Sequence, residues 1–422
     1  MVREKLLQRR VVFLCDQTVE VHFPAHFSDV YLQLLPKRGW DVSLWAFALD
    51  TESTFSRSLK ATKSVRLYHK RPGSLFGRIA LSARIPFVIY RWYKTMNLAD
   101  SDIIVVHNDP VLGLIAWIWA RKTNAALIFR VTHLIPESVA AMGSNIFYRT
   151  VANVAQYLRD WVMRRSDAVM PTSRAMACKL EKDSKIPGDI IHPLVATVNT
   201  RISASNGDGE CLAAYDRVAS QLSLHACDIW LTYLGTLDPQ RRPSFLIDTI
   251  YELRAMGMNA GLLVLGVVRK QSHIKRLQDY AKDRRVEDCV VWSKPVPDNC
   301  IPSVLRLVHV GLCPFPIDPI LRTNSPLKTL EYIRSGIPVV VSPVPDSIEV
   351  VSKSGAGVVA EYDAHSFAKG AFELASESKE LRESRMQKAM AWLAANRDID
   401  VACDLLIKTG ELAVAHRRKQ VA

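Results

Sequence analysis

Short runs of apolar, mostly β-branched residues alternate with longer stretches of helical period along the whole chain. In the first half the runs predict strands at Val11–Cys15, Val42–Phe47, Ile103–His107, Ala126–Val131 and Ala168–Pro171. In the second half they predict strands at Trp230–Gly235, Gly261–Gly266, Val290–Trp292, Val310–Pro314, Val339–Ser342 and Gly357–Ala360. Apolar runs without alternation belong to strands covered on both faces, so the pattern implies α/β architecture with parallel sheets flanked by helices.

At 422 residues the chain has room for two such domains, each with its own core. The rhythm breaks between Thr197 and Cys227, where Ser203-Ala204-Ser205-Asn206-Gly207-Asp208-Gly209 reads as a linker or exposed insertion. The expected division is a doubly wound domain over 1–198, a linker over 199–227, a second doubly wound domain over 228–398, and a last helix over 399–422 packing back on the first domain. Two such domains bind ligands at the carboxyl ends of their strands.

Net charge is +13, and its source is local. No acidic residue lies between Glu52 and Asp100, whereas Arg57, Lys60, Lys63, Arg66, Lys70, Arg71, Arg78, Arg84, Arg91 and Lys94 do. Leu75, Phe76, Ile79, Phe87, Tyr90, Trp92 and Tyr93 are interleaved with them, which predicts two short basic amphipathic helices suited to an anionic membrane surface. No nucleic-acid motif accompanies the basic segment, so a nucleic-acid partner is not expected. Val111–Ala120 is too short to span a bilayer and Val11–Cys15 too short for a signal-peptide core, giving a cytoplasmic expectation.

Cys15, Cys178, Cys211, Cys227, Cys289, Cys300, Cys313 and Cys403 show neither paired nor zinc-type spacing. They read as free thiols of a reducing compartment. Asp100-Ser101-Asp102 precedes a strand and Asp398-Ile399-Asp400 enters a helical pattern, so both read as solvated and no metal site is expected.

The most informative stretch is Asn324-Ser325-Pro326-Leu327-Lys328-Thr329-Leu330-Glu331-Tyr332, followed by Gly336-Ile337-Pro338-Val339-Val340. It predicts a helix capped by Ser325 with Pro326 in its first turn, closed by Gly336 and released by Pro338 into a buried strand. Lys328 in the first turn opposes the helix dipole and is poorly oriented to pair with Glu331, so a compensating group outside the helix is expected, and a phosphate suits it.

Trp230–Gly235, Thr236 and the basic loop Pro239-Gln240-Arg241-Arg242-Pro243 form a second piece, in which a strand-end Gly and an Arg can hold a diphosphate. In the first half His107 and His133 each fall at or just beyond a strand end.

With these pieces assembled, the chain resembles the GT-B glycosyltransferases, and within them family 4. The resemblance implies two Rossmann-like domains facing across a cleft and retaining sugar transfer from a nucleotide diphosphate donor without a cofactor or bound metal. It further implies His133, Arg242 and Lys328 in catalysis, and Gly235, Thr236, Arg241, Asn324, Ser325, Leu327 and Glu331 around the donor, with Glu331 on the ribose.

Three departures stand out: Thr323 occupies the place of the family's first paired Glu, Thr236 that of an Arg, and Asp16-Gln17-Thr18 replaces the N-terminal glycine-rich turn. The acceptor side is assigned to Gln17 and to the membrane-facing Arg78, Arg84 and Arg91. The expected partners are a nucleotide-sugar, a lipid-linked or polysaccharide acceptor, and the anionic inner face of the cell membrane. A non-catalytic scaffold and a sugar-nucleotide epimerase are the alternatives.

Overall fold

The computed structural model describes residues 9–19, 26–48, 65–69, 84, 86–92, 100–142, 146–202, 209–267, 271–294 and 296–421. The chain divides into two compact units, one of Met1–Val195 with Ile399–Ala422, the other of Ala196–Asp398.

In the first unit β1 (Arg10–Val19), β2 (Asp41–Ala48), β3 (Val65–His69), β4 (Ile103–His107), β5 (Ala126–Val131) and β6 (Ala168–Pro171) form one parallel sheet in the order β3-β2-β1-β4-β5-β6. β4, β5 and β6 are buried along their whole length, as their unbroken apolar runs require.

The connection from β4 shows how the sequence sets the geometry. Asn108 turns the chain in the left-handed region at φ 51°, and Asp109 Oδ1 accepts from the N–H of Val111 and Leu112 at 2.8 and 2.9 Å. Pro110 then starts a helix that ends at Thr123, before a left-handed Asn124. Gly113 lets this helix close on the sheet, since a Cβ there would meet the Phe129 ring at 2.7 Å.

The last helix, Ile399–Val421, belongs to the first unit, and Gly410 seats it against Trp40 and Ile103.

The second unit repeats the plan. β7 (Ile229–Thr236), β8 (Ala260–Val267), β9 (Val290–Ser293), β10 (Val310–Cys313), β11 (Val339–Val341) and β12 (Gly357–Val359) form a parallel sheet in the order β12-β11-β10-β7-β8-β9. In each sheet the order reverses once, between β1 and β4 and between β7 and β10. Ligands of open α/β sheets bind at such points, outside the carboxyl ends of the strands.

Several expectations need correction. The start of the basic segment holds an unexpected strand, β3 at Val65–His69; of the two expected helices, helix is described at 84 and 86–92, while the stretch around Leu75, Phe76 and Ile79 lies outside the described residues. The expected linker contains the helix Gly209–Ser223, whose apolar face (Cys211, Ala214, Val218, Leu222) packs into the core of the second unit.

Cys211 and Cys300 are joined in a disulfide, because that helix packs beside the turn at Asp298–Cys300 and brings the two Cα atoms to 4.7 Å. The acidic pairs are not merely solvated either. Asp102 binds Arg9 and the Arg10 N–H, and Asp398 is buried on the Thr200 N–H and hydroxyl.

Candidate functional site

The Lys328 side chain is the centre of the site in the second unit. It is 9% exposed, and its ammonium is buried without a hydrogen-bond partner. Nζ lies 3.9 Å from the centroid of the Tyr233 ring and 5.3 Å from that of Phe315. Gly235, at φ 134°, makes this approach possible, since a Cβ there would stand 3.3 Å from Nζ.

The second cation is Arg241, whose guanidinium carbon lies 5.2 Å from the Phe315 centroid. Lys328 and Arg241 thus flank one aromatic ring just beyond β10, at the β7/β10 reversal, and neither forms an ion pair with a described residue. Their charge also reaches Cys313, where burial pushes the thiol pKa up while Lys328, a bond from Thr329 and Arg241 oppose the rise.

The helix Leu327–Arg334 carries Lys328, and Tyr332 fixes its position. The Tyr332 hydroxyl accepts from the Leu234 N–H at 2.7 Å, and its ring lies where any Cβ on Gly311 would collide, at 2.5 Å. The helix is thereby pinned to both strands at the reversal. Its first N–H groups, at Leu327 and Lys328, have no intrahelical acceptor, while that of Thr329 goes back to Pro326 O at 3.2 Å.

The expected Ser325 cap is absent. Pro326 takes the cap position, and the Ser325 hydroxyl instead donates to Asp346 Oδ2 at 2.6 Å and accepts from the Ala196 N–H at 3.1 Å. Asp346 in turn holds Arg397 at 2.9 Å. Ser325 therefore ties the approach to the helix to the segment around Ala196.

Glu331 is half-buried and paired with Arg334, not with Lys328; the rings of Tyr233 and Phe315 meet Lys328 instead. Arg334 also donates to Asn199 O at 3.3 Å. Thr323 is buried, with its hydroxyl on Ile320 O at 2.7 Å, and the Asn324 N–H bonds Leu321 O at 3.1 Å. Thr236 closes β7, its carbonyl accepting from the Tyr233 hydroxyl at 2.9 Å.

Arg242 is exposed in the left-handed conformation at φ 47°. Its charge opposes the burial that raises the Tyr362 phenol, while Arg241 joins Lys328 at Phe315. Sequence reasoning did not single out Tyr233 or Phe315. Their signal was present, since Tyr233 lies two residues before the strand-end glycine and Phe315 sits between two prolines after β10.

In the first unit His133 is exposed just beyond β5, its N–H on Asn108 Oδ1 at 3.2 Å. The same oxygen accepts from Thr132 N–H at 2.7 Å, and Asn108 Nδ2 donates to the Thr132 hydroxyl at 2.6 Å, so Asn108 orders the loop that presents His133. His107 is buried, with Nε2 3.2 Å from the Tyr31 hydroxyl. Gln17 lies on β1 with its side chain outside the described residues, Arg78 is wholly outside them, and Arg84 and Arg91 are exposed.

Two family models match the chain. Residues 31–194 match the glycosyl transferase 4-like domain, and residues 228–377 match the glycosyl transferases group 1 domain. No curated protein is significantly similar in sequence.

Among solved structures, Anabaena Alr3699/HepE in complex with UDP and glucose is 14% identical, with TM-score 0.67 over 95% of this chain and 99% of that one. Sucrose-phosphate synthase from Thermosynechococcus elongatus is 14% identical, with TM-score 0.69 over 94% and 97%. WaaG, a glycosyltransferase involved in lipopolysaccharide biosynthesis, is 13% identical, with TM-score 0.64 over 93% and 97%. At these identities the likeness is one of fold.

Proposed function

Since the chain belongs to the GT-B glycosyltransferases of the group 1 and 4-like type, we propose that it transfers a sugar, with retention, from a nucleoside diphosphate donor to a lipid-linked or envelope-polysaccharide acceptor at the cytoplasmic face of the membrane. One observation carries the donor half of this reading: a buried, unpaired ammonium at the β7/β10 reversal, beside the open N–H groups of an eight-residue helix. Such an arrangement suits a diphosphate.

Cleavage of the anomeric C–O bond leaves electron density on the diphosphate and positive charge on the sugar. Lys328, Arg241 and the N–H groups of Leu327 and Lys328 stabilise the departing diphosphate, a role that fixed cations fill without a metal. Arg242 flanks the site, and Glu331 takes the ribose hydroxyls. His133 hydrogen-bonds the donor sugar, and the leaving phosphate oxygen takes the acceptor's proton as that hydroxyl attacks. The solved complexes of HepE hold UDP, glucose and UDP-glucose, which makes UDP-sugars the first donors to test.

The membrane half of the proposal draws on exposed apolar and cationic side chains of the first unit. Phe87 and Tyr90 are exposed beside Arg84 and Arg91, and the helix Ile146–Met163 exposes Ile146, Phe147, Tyr148, Val154 and Tyr157 (68%) together with Arg149. Rings and guanidinium groups of this kind suit the interface of an anionic leaflet. Among the described residues no helix is long and apolar enough to cross a membrane.

The test is to incubate the full-length protein with UDP- and GDP-sugars, with and without membrane extract, and to measure nucleoside diphosphate release. Release that depends on extract and is lost in Lys328→Met is expected. An isomerised donor without extract would mark an epimerase, and silence with every donor would mark a scaffold.

A further inference from the structure

Arg130 takes no part in the donor chemistry, yet it is a charged side chain only 3% exposed. It precedes the last residue of β5, where the register sets it between His107 on β4 and Met170 on β6. Leu14 on β1 pairs with Val106, so Cys15, His107 and Arg130 follow one another across the sheet at the carboxyl ends, next to the β1/β4 reversal.

Above this row stands Tyr31, with its hydroxyl 3.2 Å from His107 Nε2. Burial raises the Tyr31 pKa against the opposing charge of Arg130, which keeps the phenol protonated.

Nε and Nη1 of Arg130 are buried without a hydrogen-bond partner, and the guanidinium makes no ion pair with any described residue. The buried Arg159 and Arg397, by contrast, are compensated. Arg159 receives both carboxylate oxygens of Glu137 at 2.8 Å, and Arg397 holds Asp346 at 2.9 Å. Removing a guanidinium from water without a counter-charge is costly, and an oxyanion is the group its planar fork matches.

We propose that Arg130, with the Tyr31 hydroxyl and the His107 imidazole beside it, binds an oxyanion, a phosphate or carboxylate carried by the sugar acceptor, at the β1/β4 reversal. Assigning that group to the acceptor rests on the glycosyl-transfer reading; the anion site itself does not.

The test uses the full-length protein in a Lys328→Met background, which removes the donor-side ammonium, and follows thermal unfolding in phosphate, acetate or sodium chloride at matched ionic strength. Phosphate or acetate at about ten times its dissociation constant should raise the transition by about 3 °C. The rise should vanish when Arg130→Met is added and persist in part with Arg130→Lys. Without the anion, Arg130→Met should melt no lower than its parent, because an unpaired buried charge has been replaced by an apolar chain.

An equal response with and without Arg130, no response to either anion, or a lower melting point of Arg130→Met in chloride overturns the proposal. In the transfer assay Arg130→Met should raise the acceptor KM and leave UDP affinity unchanged. If the wild type releases no nucleoside diphosphate while the anion response stands, the transfer reading falls and the anion site remains.

Discussion

The Lys328 ammonium rests 3.9 Å from the centroid of the Tyr233 ring, with no carboxylate paired to it. The ring face supplies about 1 to 2 kcal/mol, less than a buried ammonium loses on leaving water. A diphosphate would supply the remainder.

Lys328→Met should therefore leave folding stability within about 1 kcal/mol, because it removes an imperfectly compensated charge along with its ring contact. It should weaken UDP binding ten- to a hundredfold, the range of a lost charged hydrogen bond. Calorimetric titration and thermal melting check the two halves. A loss of stability with unchanged UDP affinity would make Lys328 a structural residue.

Tyr332 holds the helix that carries Lys328 by accepting from the Leu234 N–H at 2.7 Å, and burial pushes its phenol well above the usual range, so the group stays protonated. Tyr332→Phe strands that N–H in the core and should cost about 1 to 3 kcal/mol in urea unfolding. UDP affinity should fall as well, since the helix loses its tie to β7.

Much of this arrangement was legible in the chain. The strands at Ile103–His107, Ala126–Val131 and Ala168–Pro171 were visible because a strand covered on both faces must be apolar throughout. Val65–His69 was not, because an edge strand reading Val-Arg-Leu-Tyr-His looks like the basic stretch around it. Lys328 was legible from its helix position, whereas the rings it meets are distant in sequence.

The role of Ser325 was misread for a similar reason. A Ser before Pro is a good local cap signal, but Asp346, twenty-one residues on, takes the hydroxyl. The Cys211–Cys300 pairing, at a separation of 89 residues, carries no local signal.

Asp346 holds both the Ser325 hydroxyl and the Arg397 guanidinium, with Asp346 and Arg397 almost wholly buried. Asp346→Ala leaves Arg397 charged in the core with only the weak contact to Ala196 O at 3.5 Å. Removing one partner of a buried pair should cost about 3 to 5 kcal/mol, read as a lower urea midpoint. The double variant Asp346→Ala/Arg397→Met should recover part of that loss, and failure to recover any would assign the cost to Ser325.

His309 and His192 are both held below the ordinary imidazole pKa, each by burial first, with Arg382 acting on His309 and Lys408 on His192. In the unfolded chain each imidazole takes a proton near pH 6.5, whereas the folded protein resists it to lower pH. Their contribution to stability is thus present above about pH 6.5 and lost as pH falls towards the folded values. Urea midpoints should decline between about pH 7 and pH 5, and His309→Gln should flatten the part of that slope belonging to the second unit. An unchanged slope would remove His309 from the acid response.

The disulfide between Cys211 and Cys300 fastens the helix Gly209–Ser223 to the turn before Ile301–Leu305, across 89 residues of sequence. Closing a loop of that length in the unfolded chain is worth about 4.6 kcal/mol in the chain-entropy account. Cys211→Ser, or reduction of the wild type, should lower the stability of the second unit by up to that amount, measured by urea unfolding with and without dithiothreitol. The helix also buries Ala214, Val218 and Leu222 in the core, so the reduced unit should still fold and bind UDP. If dithiothreitol leaves the unfolding curve of the oxidised protein unmoved, the bond adds nothing to the packing already present.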